Sequence, residues 1–347
     1  MSRRTRRTLL IVAAVLLLLA LAIFLRSKAP PEAARLLPES DGIVYVNLTP
    51  FRAFFRKDLT PLTREPDYQA FVDATGIDWE RDLDQVAIAL HRMPNPNGPN
   101  GPVAYSMVLV GKLTGQKLNT WLAAHSTSRE TYAARTIYNI PSEGRTVRVC
   151  QIGYDTVAIS NTPTPEQIHS IIDRRRAGAL PFSGSSLLDR HYHNVPLLAL
   201  AWGVGQIGLP FSQSGAISIL GLQLPLPSDS TIVASVTPTL PITRTLHIQG
   251  SLRLRLEELA RSEAVASSQA TDLNSVVTLF RQIAGPLSND PSNQAFKELL
   301  RTAEIYHRGE AVIITATITP ALFADQEPAK IPSGDASGSD SPASAPK

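Results

Sequence analysis

A single stretch of seventeen apolar residues near the N-terminus divides this chain more sharply than any later feature. The run extends from Leu9 to Leu25 and follows residues 1–8, which contain four arginines. At about 1.5 Å per residue, a helix of this length covers roughly 25 Å, just enough to cross the hydrocarbon core of a thin bilayer. The sequence therefore predicts a transmembrane helix over residues 9–25.

The charges beside this run predict its orientation. Four arginines precede it, whereas only Arg26 and Lys28 follow it closely. The more basic flank of a membrane helix stays in the cytoplasm. We therefore expect residues 1–8 to form a basic cytoplasmic N-terminus, with the main domain outside the cytoplasm. The chain would be a single-pass cell-membrane protein that contacts the lipid bilayer through residues 9–25.

A cleaved signal peptide would share the basic start and the apolar middle. Residues 20–22 have the small–x–small form of a cleavage site, but the apolar run continues through Ile23, Phe24 and Leu25. Cleavage there would leave an apolar new N-terminus, so the pattern favours an uncleaved signal-anchor. A lipoprotein anchor is excluded, because the only cysteine is Cys150, far from this segment.

The net charge of +3 comes from the N-terminal segment. Residues 1–28 contain six bases and no acid, so residues 29–347 carry 27 bases and 30 acids. A nucleic-acid partner requires a basic surface, which this composition does not provide. A single cysteine cannot form an internal disulfide, so stability must come from a hydrophobic core. Cys150 alternates with polar residues, a pattern typical of an inert strand residue.

The two ends of the exported part are predicted to lack a packed core. Residues 26–37 contain proline and alanine and are predicted to tether the domain to the membrane. Residues 321–347 are rich in Ser, Pro, Ala and Gly and contain few apolar residues, so we expect a disordered tail.

Between these ends, the hydrophobic periodicity predicts an α+β fold of two ferredoxin-like halves. In residues 38–180 the predicted elements follow the order β-α-β-β-α-β, which is the ferredoxin-like arrangement. A similar order can be read in residues 181–320, with a strand over residues 245–252 and a long helix over residues 256–283. Whether the halves arose by duplication stays open at this point.

The segment Thr75–Val86 has the pattern TGxDxxRDxDxV. In this it resembles uncharacterised, signal-anchored bacterial envelope proteins of unknown function. Those families also end in two helices and a strand with the pattern G-x-x-V, and Gly309 to Val312 is similar. The resemblance implies an envelope location for residues 38–320 and no particular activity.

The best chemical candidate is the alternating set Asp189, His191 and His193. On an extended segment all three side chains would share one face, and two imidazoles with a carboxylate suit zinc or a similar metal. The same residues also fit an ordinary polar loop before a strand, since Val195 and Pro196 follow closely. No further ligand cluster is visible in the sequence.

Two other patterns favour structural interpretations. Residues 203–208 match G-x-G-x-x-G, but Pro210 stands where the nucleotide-binding helix would continue. Acids alternate from Asp78 to Asp84, but Leu83 occupies the position where a calcium loop requires glycine. The nucleophile motifs G-x-S-x-G and H-E-x-x-H are absent from the sequence, so no catalytic residue and no cofactor is predicted.

These observations lead to three functional hypotheses. The first is a non-catalytic binding or scaffolding domain of the cell envelope, whose protein partner is unidentified. The second is a sensor or carrier of a small ligand, held between the two halves. The third is a metal-dependent hydrolase that uses Asp189, His191 and His193.

Overall fold

The structure is a computed structural model. It describes residues 29–50, 66–98, 101–113, 115–142, 144–178, 184–206, 216–219, 222–225, 230–239, 251–284 and 291–318, together with Val12 and Leu17. Within these ranges, one antiparallel sheet of twelve strands forms the framework on which the helices pack.

The strands and helices have the following bounds. The strands are β1 (Gly42–Asn47), β2 (Leu83–Arg92), β3 (Val103–Gly111), β4 (Ser128–Tyr132), β5 (Arg135–Ser142), β6 (Arg145–Gln151), β7 (Thr156–Ser160), β8 (Ala201–Gln206), β9 (Ala216–Ile219), β10 (Leu222–Pro225), β11 (Thr231–Pro238), β12 (Leu252–Leu259), β13 (Glu304–Arg308) and β14 (Ala311–Ile318). The helices are α1 (Glu32–Arg35), α2 (Pro66–Thr75), α3 (Trp79–Asp82), α4 (Gln116–His125), α5 (Glu166–Arg176), α6 (Ser186–His191), α7 (Glu263–Ala284) and α8 (Pro291–Thr302), with a 3₁₀ turn at Tyr192–Asn194.

The order of strands in the large sheet is β13-β14-β12-β11-β8-β1-β2-β3-β7-β6-β5-β4, while β9 and β10 form a separate two-stranded sheet. At the centre, β1 pairs with β8, so that Val44 lies opposite Gly203 and Val46 opposite Ala201. Every pair in the large sheet is antiparallel. The two parts of the chain are thus joined through backbone hydrogen bonds into one continuous sheet.

The predicted fold of two ferredoxin-like halves is wrong. Instead of two βαββαβ halves, the described residues build one twelve-stranded sheet. None of the helices in these residues is long and apolar enough to cross a bilayer. The two parts do share a strand order, β1-β2-β3-β7-β6 in the first and β8-β11-β12-β14-β13 in the second. Between the third and fourth of these strands, the chain forms one helix, α4, in the first part and two helices, α7 and α8, in the second.

Alternation along the strands gives the sheet two faces with different helix layers. Face 1, which includes Tyr45 and Trp202, is covered by α1, α5 and α6 in the central hydrophobic core. Face 2, which includes Val44 and Gly203, carries two separate helix groups. The group α2, α3 and α4 covers the first part, and the group α7 and α8 covers the second.

The segment predicted as a tether over residues 26–37 is shorter than expected. Glu32–Arg35 forms α1, and Leu36 and Leu37 follow it. Both leucines are fully buried, with Ala33 and Ala34 beside them in the central core. Residues 32–37 are therefore part of the folded domain, because the single turn of α1 and the two leucines after it pack against β2 and β3.

Two other predictions lie outside the described residues. Of the predicted transmembrane segment, residues 9–25, only Val12 and Leu17 are described, and both are helical. The tail predicted over residues 321–347 also falls beyond the last described residue, Ile318. Both stay predictions.

Candidate ligand-binding site

At the centre of face 2, the surface of the sheet carries small side chains. Strand pairing places Val44, Gly203 and Ala234 in one row across β1, β8 and β11. The row continues through Leu256 and Ile314 on β12 and β14. Because a glycine and an alanine replace the larger residues found farther along the row, the sheet surface is lowest at β8 and β11.

Helices α7 and α8 form the wall and roof over this depression. Val277 of α7 and Leu299 and Leu300 of α8 face the sheet, and all three are buried. On the other side, α2 and α4 pack on β2, β3, β6 and β7 instead of on β8. The depression therefore begins under α7 and α8 and extends toward the central strand pair.

The resulting cavity has a volume of about 320 Å³. Its apolar lining comes from six strands, α7, α8 and the link after α8, and consists of Val44, Ala201, Gly203, Ala234, Val236, Leu254, Leu256, Val277, Leu299, Leu300, Ala303, Ile305, Ile314 and Ala316. Trp202, Ser235 and Arg255 also border the cavity, but strand alternation turns their side chains toward face 1. Only their backbone contributes to the wall.

This geometry is suited to binding an apolar ligand. Pockets for small ligands generally occupy about 300–1,000 Å³ and are mostly apolar. Here the side chains that line the cavity offer no acid, base or nucleophile. The driving force that they can supply is the removal of hydrocarbon from water.

The backbone at Gly203 leaves room for a side chain. A Cβ placed there would lie 3.5 Å from the carbonyl oxygen of Ile43 and 3.8 Å from Cγ2 of Val44, which are ordinary contacts. Glycine is thus not required by the approach of the neighbouring strand. Its effect is to keep the floor of the cavity open.

A second group of polar side chains is buried on face 1, near the other end of the strands. The Ser106 hydroxyl lies 3.0 Å from Nε2 of His91 and 3.1 Å from the Ser160 hydroxyl, which lies 2.8 Å from the hydroxyl of Thr162. Burial lowers the pKa of His91, while Asp41 and the backbone carbonyl of Glu39 oppose this shift.

This chain of hydroxyls contains a serine–histidine pair but does not form an accessible catalytic centre. Ser106 and Ser160 are both fully buried, and His91 is 8% exposed. A nucleophile must reach its substrate, and neither serine does so in this arrangement. The hydrogen bonds instead satisfy polar groups on three neighbouring strands, as buried hydroxyls require.

The predicted metal ligands lie on a helix instead of an extended segment. Asp189 and His191 belong to α6, and His193 lies in the 3₁₀ turn that follows. On helical backbone, residues two apart point to different sides, so the shared face assumed for the three is absent. Among the described residues no group of three or more His, Cys, Asp or Glu side chains could hold a metal ion.

The other sequence patterns occupy structural positions. Gly203 and Gly205 lie within β8, and no helix begins there in the described part of the pattern. Asp78 caps α3 by accepting a hydrogen bond from the Glu80 amide, 3.1 Å away. Cys150 is fully buried in β6, and burial raises the pKa of its thiol to about 11, so the thiol stays protonated.

Sequence reasoning missed the cavity because its residues come from distant parts of the chain. The only local signal is the small-residue pattern of β8, where Ala201 and Gly203 alternate with Trp202 and Val204. That alternation could have indicated one filled face and one open face. The strand neighbours that complete the cavity were not predictable from it.

Comparisons with known proteins identify no family. No family model matches the chain, and no curated protein matches it. Among solved structures, the fold is similar to TP0453 in crystal forms III and I, each with a TM-score of 0.40 and 12% sequence identity. The alignment with form III covers 85% of this chain and 97% of TP0453. The alignment with form I covers 86% of this chain and 96% of TP0453. A likeness at this level carries no functional argument.

Proposed function

We propose that this protein is a non-catalytic binding domain, displayed outside the cytoplasmic membrane by the apolar run Leu9–Leu25, which holds the hydrocarbon chain of a lipid in the cavity of face 2. The observation that carries the proposal is the cavity itself, whose side chains are apolar throughout. The membrane location rests on the length of the run and on the bases that precede it.

An acyl chain fits the site better than a polar metabolite does. Burying a polar group without a hydrogen-bond partner costs about 1–3 kcal/mol in proteins, and the lining side chains offer no partner. Each buried methylene, by contrast, contributes about 0.8 kcal/mol. A longer hydrocarbon chain should therefore bind with higher affinity, and a polar group in the buried part of the ligand should lower the affinity.

The test uses the full-length protein in nanodiscs and a palmitic acid that carries a photoreactive diazirine. After illumination, we expect labelled peptides from β8, β11 and α8. Unlabelled saturated fatty acids should compete with an affinity that rises roughly fourfold per added methylene until the cavity is filled.

Two variants make this test specific. Ala234→Leu places three extra carbons in the cavity and should reduce labelling of these peptides roughly tenfold or more. Ala124→Leu makes the same change at an exposed position on α4, outside the cavity, and should leave labelling unchanged. Equal labelling of both variants, or labelling spread evenly over the surface, would refute the proposal.

A scaffolding role for the same domain stays a prediction. It requires a protein partner in stoichiometric amount, which in-cell crosslinking of the full-length protein would reveal. The cavity supports the ligand-binding hypothesis specifically, because a scaffold has no need of an open apolar interior.

A further inference from the structure

At one end of the strands of the large sheet lie the most exposed large apolar side chains among the described residues from 29 to 318. We define the tether edge by Tyr154, Leu197 and Leu198. These side chains are 84%, 57% and 61% exposed, the three highest values among the large apolar residues described between 29 and 318. Single exposed apolar residues are common on protein surfaces, so exposure alone does not indicate a binding surface. Several such residues at one location do indicate one.

Strand pairing places all three residues at the same end of the sheet. Leu197 and Leu198 lie just before β8, whose first residue, Ala201, pairs with Val46 near the end of β1. Tyr154 lies in the turn before β7, whose first residue, Thr156, pairs with Val110 near the end of β3. From β8 to β7 there are four strand spacings, or about 19 Å.

The chain leaves toward its N-terminus at this edge, between the two exposed positions. Helix α1 packs on β2 and β3, which lie between β8 and β7. At the start of α1, the carboxylate of Glu32 pairs with the guanidinium of Arg175. That guanidinium also lies beside Gly153, next to Tyr154, with Nη2 3.2 Å from the position of a Cβ on the glycine.

The link from α1 to the apolar run is short. Residues 26–31 separate Leu25 from Glu32. Six residues span at most about 20 Å when fully extended. If Leu9–Leu25 lies in a bilayer, the tether edge is held within that distance of the membrane surface.

We infer that the tether edge docks on the lipid surface, with Tyr154, Leu197 and Leu198 inserted into the interfacial region of the membrane that holds the N-terminal run. This inference rests on the proposed membrane location. Tyrosine is enriched at this depth, because its ring is apolar and its hydroxyl stays hydrated. Exposed leucines on a turn are suited to the boundary between headgroups and acyl chains.

The nearby charges indicate that the contact is mainly apolar. Arg175 pairs with Glu32, and Arg176 lies 3.7 Å from Asp173. Such pairs leave little net positive charge to attract anionic lipids. Docking should therefore occur on neutral phosphatidylcholine and change little with salt.

Docking at this edge would bring the apolar cavity close to the lipid. Ala201, which lines the cavity, follows Leu198 by three residues. Val236 and Leu254 also line it, and each lies two residues, or about 7 Å, from the strand end at this edge. The arrangement would let a hydrocarbon chain pass between bilayer and cavity over a short distance.

The test places an environment-sensitive nitrobenzoxadiazole probe at single new cysteines in the full-length protein, reconstituted in phosphatidylcholine vesicles. Cys150 is fully buried and does not compete for the label. The edge variants are Tyr154→Cys and Leu197→Cys. The control is Val265→Cys near the start of α7, an apolar residue 42% exposed. It follows the opposite end of β12, where Leu259 pairs with Thr231. Leu17→Cys reports on the N-terminal run.

We expect probes at positions 154 and 197 to shift to shorter emission wavelength and to lose most of their intensity to lipids carrying a doxyl quencher. The probe at position 265 should respond to aqueous iodide instead. Lipid quenching at position 17 without quenching at 154 and 197 would overturn the docking inference alone. Absence of lipid quenching at position 17 would overturn the proposed membrane location as well. Protection of the edge probes from both quenchers would overturn docking in favour of a protein contact.

Discussion

Glu258 is the most deeply buried carboxylate among the described residues, with 2% of its surface exposed. It lies on face 2, beside Ile232 and Val312 of the neighbouring strands. The Gln269 amide donates to its Oε1 at 3.3 Å, and burial raises the pKa of the carboxyl despite this bond and one from Ser230.

The unpaired atoms around this carboxyl suggest its protonation state. In the described part of the chain, Oε2 of Glu258 and Oε1 of Gln269 are both buried without a hydrogen-bond partner. Both of these oxygens can only accept a hydrogen bond while the carboxyl is ionised. A proton on Oε2 would turn it into a donor, and a buried polar atom without a hydrogen bond costs free energy of folding. The raised pKa and the two unpaired oxygens therefore both favour the neutral acid.

The raised pKa predicts a loss of stability with rising pH. The folded state binds the proton more tightly than the unfolded state, so this contribution is complete below the ordinary pKa of glutamate and is lost as pH rises through the folded value. Glu258→Gln should remove this part of the pH dependence. Urea unfolding across a pH series measures it, and Glu304→Gln, at an exposed position, should leave the profile unchanged.

The hairpin between β4 and β5 contains two alanines in an unfavourable conformation. Ala133 and Ala134 have φ values of 49° and 60°. A two-residue turn with two positive φ angles favours Asn-Gly, because a Cβ costs about 1–2 kcal/mol in the left-handed region. The alanines give no turn signal in the sequence, which explains why this hairpin was not predicted.

Replacing the second alanine should stabilise the protein. Ala134→Gly relieves the steric cost, although glycine loses more backbone entropy on folding, so we expect a net gain of about 1 kcal/mol. The same change at Ala124, an exposed position inside α4, should destabilise the fold by a similar amount. Thermal unfolding compares the stability of each variant with that of the unchanged protein. A loss of stability in Ala134→Gly would contradict this account.

At the scale of elements, local pattern predicted the first part of the chain better than the second. Leu118, Trp121 and Leu122 have helical spacing and predict a helix over residues 116–125, which is the observed range of α4, Gln116–His125. Apolar runs predict strands over residues 104–110 and 156–159, and β3 and β7 confirm them within one residue at each end. In these segments apolar spacing and turn residues agree. The fold class was nevertheless wrong, because no local pattern specifies that β1 pairs with β8.

The largest local error concerns β12. A helix was predicted from residue 256, but Leu252–Leu259 is a strand and the helix begins at Glu263. Leucine, arginine and glutamate all favour helices. Pairing of β12 on both sides, with β11 and β14, overrides that preference, and the alternation of Leu252, Leu254 and Leu256 matches one face of the sheet.

Helix α1 also differs from its prediction and yields a test of where the domain begins. Leu37 is fully buried in the central core, although its segment resembles a linker in sequence. Leu37→Ala should therefore cost about 2–5 kcal/mol, measured by urea unfolding. Leu198→Ala, at a position 61% exposed, should change stability by less than about 0.5 kcal/mol. Equal effects would place residue 37 outside the core.

At the scale of the whole molecule, the central core crosses the junction between the two parts of the chain. It contains Tyr45 and Ala87 from the first part and Trp202, Val204 and Val233 from the second. The rings of Tyr45 and Trp202 stack with centroids 5.4 Å apart across the central strand pair. Neither part can lose its packing without exposing apolar surface of the other.

This shared core predicts that the described domain unfolds in one cooperative transition, despite the repeated strand order. Trp79 and Trp121 belong to the first part, so replacing both with Phe leaves Trp202 as the only tryptophan, at the junction. Its fluorescence and the far-ultraviolet circular dichroism of the same variant should show the same urea midpoint. If the two parts were independent, the junction signal would change with only part of the circular dichroism, and the midpoints would separate. The cavity has walls from β1, β8 and β11 to β14. A coincident transition would mean that it opens only by local movement of α7 and α8 or by global unfolding.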